Sequence, residues 1–271
     1  MDPEGSFWAS LNASFKKAKA AGIKAPLVVG AIPFDTNQPS ELFIPKNHEF
    51  TTINREDLVE QLKDLSTDHT TYLCEKKLKH DAACNTQDQK DYETKVSHLT
   101  NKFKESALNK VVLSRRKQVS LNKKCRTELL PSMLLRHAAT GYPFSTPLKC
   151  GNTMVGLSPE LLISKRSSEI FSNPLAGSAS RVGQNKDTPP AELSECTKNQ
   201  YEHSIVVDAI KNRLSSKCSK FEIDKHPRVS GTKELWHLST HVKGTLKDQR
   251  TSVLECAASI HPTPAVCGFP Y

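Results

Sequence analysis

Phe144-Ser-Thr-Pro-Leu-Lys-Cys-Gly-Asn-Thr-Met-Val-Gly-Leu-Ser-Pro-Glu160-Leu-Leu-Ile-Ser-Lys-Arg-Ser-Ser168-Glu-Ile-Phe-Ser172 decides the fold class. Its short apolar runs are separated by Cys150-Gly-Asn152 and Arg166-Ser-Ser168, residues suited to tight turns, and the segment therefore predicts an antiparallel meander. Glu160 falls in the link between two of its strands. Helical patterns lie on either side. Phe7, Leu11, Phe15 and Ala18 predict a helix over 7–21 that Gly22 ends, and Tyr92, Val96, Leu99 and Phe103 predict an amphipathic one. A further helix is predicted over 127–140, with Pro131 tolerable near its first turn and Gly141 at its end. Thr188-Pro-Pro190 opens a helical region running to about Ser216, whose stripe of Tyr201, Ile205, Ala209 and Leu214 puts Glu202 beside the buried face. Residues 27–34 read as a buried strand, 235–240 as another strand and 250–259 as a helix. Strand-rich and helix-rich stretches alternate without regular βαβ units, so the class is α+β rather than a parallel α/β sheet.

The 271 residues suffice for a sizeable core and are read as one domain, with residues 47–90 a polar surface excursion. The formal charge of +9 suits an anionic partner, but the Lys and Arg residues are scattered along the chain. With no helix-turn-helix, finger or aromatic-basic stripe beside them, a small anionic substrate is expected rather than nucleic acid. None of the eight cysteines forms a CxxC pair, which argues against a zinc knuckle and against a disulfide framework. The start Met-Asp-Pro-Glu is unlike a signal peptide, and no apolar run reaches the roughly 18 residues that span a bilayer. A cytoplasmic monomer with no membrane partner is expected.

Lys110 heads the apolar run Lys110-Val-Val-Leu-Ser-Arg115. It reads either as a strand-end lysine reaching water or, if desolvated beside Val111 and Val112, as a general base. Glu160, among Leu157, Leu161 and Leu162, either satisfies turn backbone or is a carboxylic acid kept protonated near neutrality. Glu202 is either the i, i+4 partner of Lys198 or a ligand for Mg²⁺, which is held by one or two carboxylates plus substrate oxygens. In Pro174-Leu-Ala-Gly-Ser178, Gly177 allows backbone N–H groups to approach an anion closely. His237, after Trp236, reads as a packed histidine when taken alone, and no pair of histidines has zinc spacing.

Seven segments in one order carry a resemblance. They are Val28-Val-Gly-Ala-Ile-Pro-Phe34, Lys110-Val-Val-Leu-Ser-Arg115, Ser158-Pro-Glu-Leu-Leu162, Pro174-Leu-Ala-Gly-Ser178, Tyr201-Glu-His203, Leu235-Trp-His-Leu238 and His261-Pro-Thr-Pro-Ala265. Together they resemble the isochorismate synthases of the chorismate-utilising enzyme family, most closely the siderophore-pathway type. The resemblance implies mostly antiparallel sheets packed together with helices outside. It also implies conversion of chorismate to isochorismate, water adding at C2 as the C4 hydroxyl leaves. By that similarity Lys110 is the base, Glu160 the acid, Glu202 one of two Mg²⁺-binding glutamates, and Gly177, Ser178, His237 and Ala265 substrate-binding positions. Lys110 and Ala265 resemble the water-using branch more than the ammonia-using anthranilate and aminodeoxychorismate synthases, while salicylate synthases share the water chemistry.

The departures lie mainly at the end. Members of the family continue beyond the Pro-Thr-Pro-Ala loop into a segment that supplies the second metal glutamate, an arginine, a lysine and several core strands. None of these has a counterpart here, so the expectation is an incomplete chorismate-binding domain whose final Pro-rich loop positions nothing after it. The alternative reading is accordingly a truncated, catalytically inactive remnant. Thr197 and Asn199 stand where close relatives carry acidic residues.

Overall fold

In the computed structural model, residues 6–51, 86–116, 130–137, 141–183 and 186–270 are described, with the single positions 54, 57 and 127. Most of the polar excursion over 47–90, and residues 128–129 and 138–140 of the helix expected over 127–140, lie outside them. The described helices are α1 (Ser6–Ala20), α2 (Thr86–Glu105), α3 (Leu130–His137), α4 (Ala191–Glu195), α5 (Thr197–Leu214) and α6 (Val253–Ile260). The strands are β1 (Val29–Ala31), β2 (Glu41–Phe43), β3 (Lys110–Val111), β4 (Tyr142–Pro147), β5 (Thr153–Ser158), β6 (Leu161–Arg166), β7 (Glu169–Asn173), β8 (Leu175–Ser180), β9 (Cys218–Ile223), β10 (Arg228–Gly231), β11 (Leu235–Ser239), β12 (Val242–Leu246) and β13 (Gly268–Phe269). The class is α+β and the sheets are mostly antiparallel, as expected. None of the described helices is long and apolar enough to cross a membrane.

Contacts divide the chain into two compact units. One contains α1, the antiparallel β1–β2 pair and most of the β4–β5 pair. Within it the Lys149 N–H donates to the Glu41 carboxylate at 3.2 Å. The buried strand expected over 27–34 is here only the three residues of β1, and Val29 is exposed. So short a pair cannot cover both its faces, which leaves this apolar run at best half-buried.

The other unit carries β3, β6 to β13 and α4 to α6. The segment that predicted a meander is divided: β4 pairs with β5, whereas β6 and β7 begin a four-stranded sheet of order β6-β7-β12-β9. The Ser-Pro-Glu link after β5 is where the chain leaves one sheet for the other. All three neighbouring pairs of the four-stranded sheet are antiparallel. Strand β12 alternates as a half-buried strand must, with Val242, Gly244 and Leu246 inward and Lys243 outward. Onto this face pack Val206, Ile210 and Leu214 of α5 and Cys256 and Ile260 of α6. Each fully buried Val, Leu or Ile side chain contributes about 1.5–3 kcal/mol.

The buried stripe of α5 is His203, Val206, Ile210 and Leu214; Leu214 is as expected, and the rest lies a rotation away from the expected Tyr201, Ile205 and Ala209. Tyr201 is exposed. A polar residue takes the inward position because His203 finds hydrogen-bond partners there. Helix α6 starts at a capping box: Ser252 Oγ accepts from the Glu255 N–H at 3.1 Å, and the Glu255 carboxylate accepts from the Ser252 N–H. In α2 the expected apolar stripe is mostly in solvent, Val96 and Phe103 both being exposed.

Candidate active site

Strand β8 lies at one edge of a three-stranded sheet of order β10-β11-β8. Its register against β11 slips at one place: His237 faces Ser178, but Leu238 faces Ala176. Gly177 is the extra residue of this bulge, with φ of +77°, a backbone conformation that a side chain makes costly. A Cβ at this position would also press within 3.3 Å of Asn199 Cβ and of the Asn199 carbonyl oxygen. The bulge re-aims the backbone. The Gly177 N–H acts on the Glu202 carboxylate, and the Leu175 N–H of the same strand on that of Glu160, each lowering the pKa of the carboxyl it acts on.

Lys110 is 7 % exposed, which removes the reading of a strand-end lysine in water. The last described residues put it there. Strand β13 pairs antiparallel with β3, Phe269 opposite Lys110 and Gly268 opposite Val111. The pairing is extended by the Asn109 N–H to the Phe269 carbonyl at 2.8 Å and the Val112 N–H to that of Cys267 at 2.9 Å. A side chain on Gly268 would run into the Lys110 carbonyl. The Lys110 ammonium donates to the Pro264 carbonyl oxygen. The Pro-rich loop thus holds the candidate base; nothing in the strand-end sequence of Lys110 signals a partner 154 positions away.

Glu202 is shared by two ammonium groups. Lys110 Nζ is 3.7 Å from its Oε1, and Lys198 Nζ is 2.7 Å from its Oε2. Burial pushes the Glu202 carboxyl up, but Lys198, the Lys110 charge and the Gly177 N–H outweigh it and hold it below the usual range. Burial pushes Lys110 down; the Glu202 carboxylate opposes this without overcoming it. For Glu160 burial dominates. Its carboxyl is raised to about 7 against the opposing pull of the Leu175 N–H and the Lys110 charge. Ser158 fixes the turn that carries it, its hydroxyl donating to the Glu160 carbonyl at 2.8 Å and accepting from the Glu160 N–H at 3.2 Å.

Ser178 and His237, opposite each other across β8 and β11, hydrogen-bond through Oγ and Nδ1 at 2.8 Å. Burial lowers the His237 pKa, so its imidazole is neutral at pH 7. Ala265 is partly buried, packed against the core. Of the residues singled out from the sequence, Lys110, Glu160, Glu202, Gly177, Ser178 and His237 are held by β3, the β5–β6 link, α5 and the β8–β11 pair of one unit. A lysine whose charge is disfavoured and a carboxyl with a pKa near neutrality lie within each other's field, an arrangement suited to a base and an acid.

Among the described residues no three His, Cys, Asp or Glu side chains gather as a metal site. Glu202 is a single carboxylate with both oxygens turned to lysines. One carboxylate fits Mg²⁺ where substrate oxygens supply further ligands, and Lys198, whose side chain is 74 % exposed, is free to swing aside.

Comparison with known proteins adds an independent line. A family model described as chorismate binding enzyme matches residues 39–271. The chain is 32% identical to isochorismate synthase DhbC of Bacillus subtilis (strain 168) over 265 residues, covering 95% of this chain and 64% of that protein. It is 32% identical to isochorismate synthase EntC of Escherichia coli (strain K12) over 271 residues, covering 99% of this chain and 67% of that one. A crystal structure of DhbC from Bacillus anthracis, described as a 2,3-dihydroxybenzoate-specific isochorismate synthase, superposes with a TM-score of 0.73 at 31% identity, over 98% of this chain and 67% of that one. The chain spans about two thirds of the length of these relatives.

Proposed function

This chain belongs to the chorismate-binding enzyme family, and on that premise we propose that it is an isochorismate synthase, converting chorismate to isochorismate by adding water at C2 as the C4 hydroxyl leaves. The observation that carries the reading is the pairing of a buried, disfavoured ammonium at Lys110 with a carboxyl of pKa about 7 at Glu160 in one compact unit. Neutral Lys110 takes a proton from the attacking water. Glu160 gives its proton to the departing hydroxyl, which leaves as water, so that the product is an isomer of the substrate. The basic surface draws in the substrate dianion. Gly177, Ser178, the neutral His237 and the loop at Ala265 line the substrate in this reading.

Mg²⁺ belongs to the proposal, with Glu202 as its protein ligand among the described residues. When bound, it neutralises a substrate carboxylate. The catechol acid named for the Bacillus anthracis relative supports a place at the head of a catechol siderophore pathway, served by a cytoplasmic monomer. The test is to incubate the purified chain with chorismate and Mg²⁺, coupled to an isochorismate-consuming enzyme. Turnover is expected, and a rate no higher than that of a Lys110→Ala control contradicts the reading.

A further inference from the structure

Helix α5 has a second polar residue facing β8, and no part of the reaction above uses it. His203 is 2 % exposed. Its Nδ1 lies 3.2 Å from the Ala176 carbonyl oxygen and its Nε2 lies 2.7 Å from Thr240 Oγ1. A carbonyl only accepts, so Nδ1 carries the proton; in the neutral ring Nε2 then accepts from the Thr240 hydroxyl, itself buried. The tautomer is therefore set by the Ala176 carbonyl, and the Thr240 hydroxyl holds the ring by donating to Nε2.

The Ala176 carbonyl and the Gly177 N–H belong to one peptide. It is not among the cis bonds of the chain, so the two groups point in opposite directions. The carbonyl is taken by His203 and the N–H by Glu202. These are consecutive residues, separated by about 100° around the helix axis, which lets them reach the two ends of a single peptide plane. Gly177, in a conformation that only glycine adopts cheaply, has no rotamer of its own to keep that plane in place.

We propose that His203 is a positioning residue: together with Thr240 it fixes the rotation of the Ala176–Gly177 peptide, so that the Gly177 N–H points at Glu202 and orients that carboxylate. The inference deepens the isochorismate synthase reading and rests on it only for its consequence in turnover.

Two isosteres separate this role from simple packing. Asparagine places an N–H donor near the position of Nδ1, and glutamine places one near Nε2. Hydrogen exchange at the Gly177 amide is measured by NMR in the full chain without substrate, with the Val206 and Ile210 amides of the buried stripe as internal references. His203→Gln is expected to speed Gly177 exchange about tenfold relative to the references, as loss of one hydrogen bond to the peptide should. His203→Asn is expected to restore it to within about threefold of the parent chain. Thr240→Val keeps the imidazole and its Nδ1–H but removes the bond that holds the ring at Nε2, and is expected to fall between the two. With chorismate, the Gln variant should lower kcat more than it raises KM, and the Asn variant should recover kcat.

Equal Gly177 exchange in the parent, Gln and Asn chains overturns the proposal, as does a rise shared by the reference amides. If His203→Gln fails to fold, Thr240→Val decides by the same comparison. Selectively faster Gly177 exchange in His203→Gln, with a parent chain that does not turn over chorismate, upholds the peptide clamp and removes the proposed reaction instead.

Discussion

The Lys110 ammonium is held by the carbonyl of Pro264, a residue from the far end of the described chain. A carbonyl oxygen accepts from either protonation state of an amine, so it fixes the nitrogen without forcing it to stay charged, unlike a second carboxylate at the same distance. Glu202, at 3.7 Å, supplies the only ion pair Lys110 makes among the described residues.

Lys110→Ala should lower turnover by about 10²- to 10⁴-fold, the usual range for losing a general base. Lys110→Arg should not restore it, because a guanidinium stays protonated and cannot accept a proton. The coupled chorismate assay measures both. Recovery in the Arg variant would make Lys110 an electrostatic anchor and not a base.

Glu160 imposes a sign on the pH dependence. Its folded pKa is raised from 4.5 to about 7. The stability it contributes is therefore present at acid pH and is lost as pH rises through about 7, with a full cost of about 3 kcal/mol above that range. Glu160→Gln should abolish turnover and gain stability over the parent between pH 5 and 8, as urea titrations at a series of pH values would report. Turnover of the parent should fall as pH rises past about 7. A gap between the two proteins that does not change with pH contradicts the shifted acid.

Lys198 competes with any cation at Glu202. Lys198→Met should tighten Mg²⁺ binding about two- to fivefold, the scale of a partly exposed ion pair. Isothermal titration calorimetry measures this, with Glu202→Gln expected to weaken binding and Glu160→Gln to leave it unchanged. Equal loss in both glutamate variants would contradict their separate roles.

The α6 capping box gives a prediction independent of catalysis. Ser252→Ala removes the acceptor for the Glu255 N–H and should cost about 1 kcal/mol. Chemical denaturation would show the loss; Ser252→Asp should preserve most of the stability, because aspartate also caps well.

Much of this was legible before any coordinates. The strand at Leu235–Ser239, the helices α1 and α5 and the link at Glu160 follow from local pattern, and local pattern is what hydrophobic periodicity records. The misreadings have a common cause. The run over 27–34 is apolar, but too few strands surround it to bury it, and the stripe of α5 was rotated because a histidine with buried partners ranks as polar in a periodicity count. The site divides in the same way. Lys110, Glu160 and Glu202 announce themselves by residue type, whereas the Pro264 carbonyl and the N–H groups of Leu175 and Gly177 are backbone groups: every residue offers a carbonyl, and every residue except proline an N–H. Their selection depends on the β3–β13 pairing and the β8 bulge, contacts between positions remote in the chain.

Strand β8 acts on both carboxylates through amide hydrogens. Replacing its side chains one by one would leave those hydrogens in place, so an alanine scan along 175–180 would register packing and bulge strain while missing the contacts themselves. Backbone chemistry reads them directly: exchanging the amide at Leu175 or Gly177 for an ester deletes a single donor, and only such a replacement tells what each one does for the acid it faces.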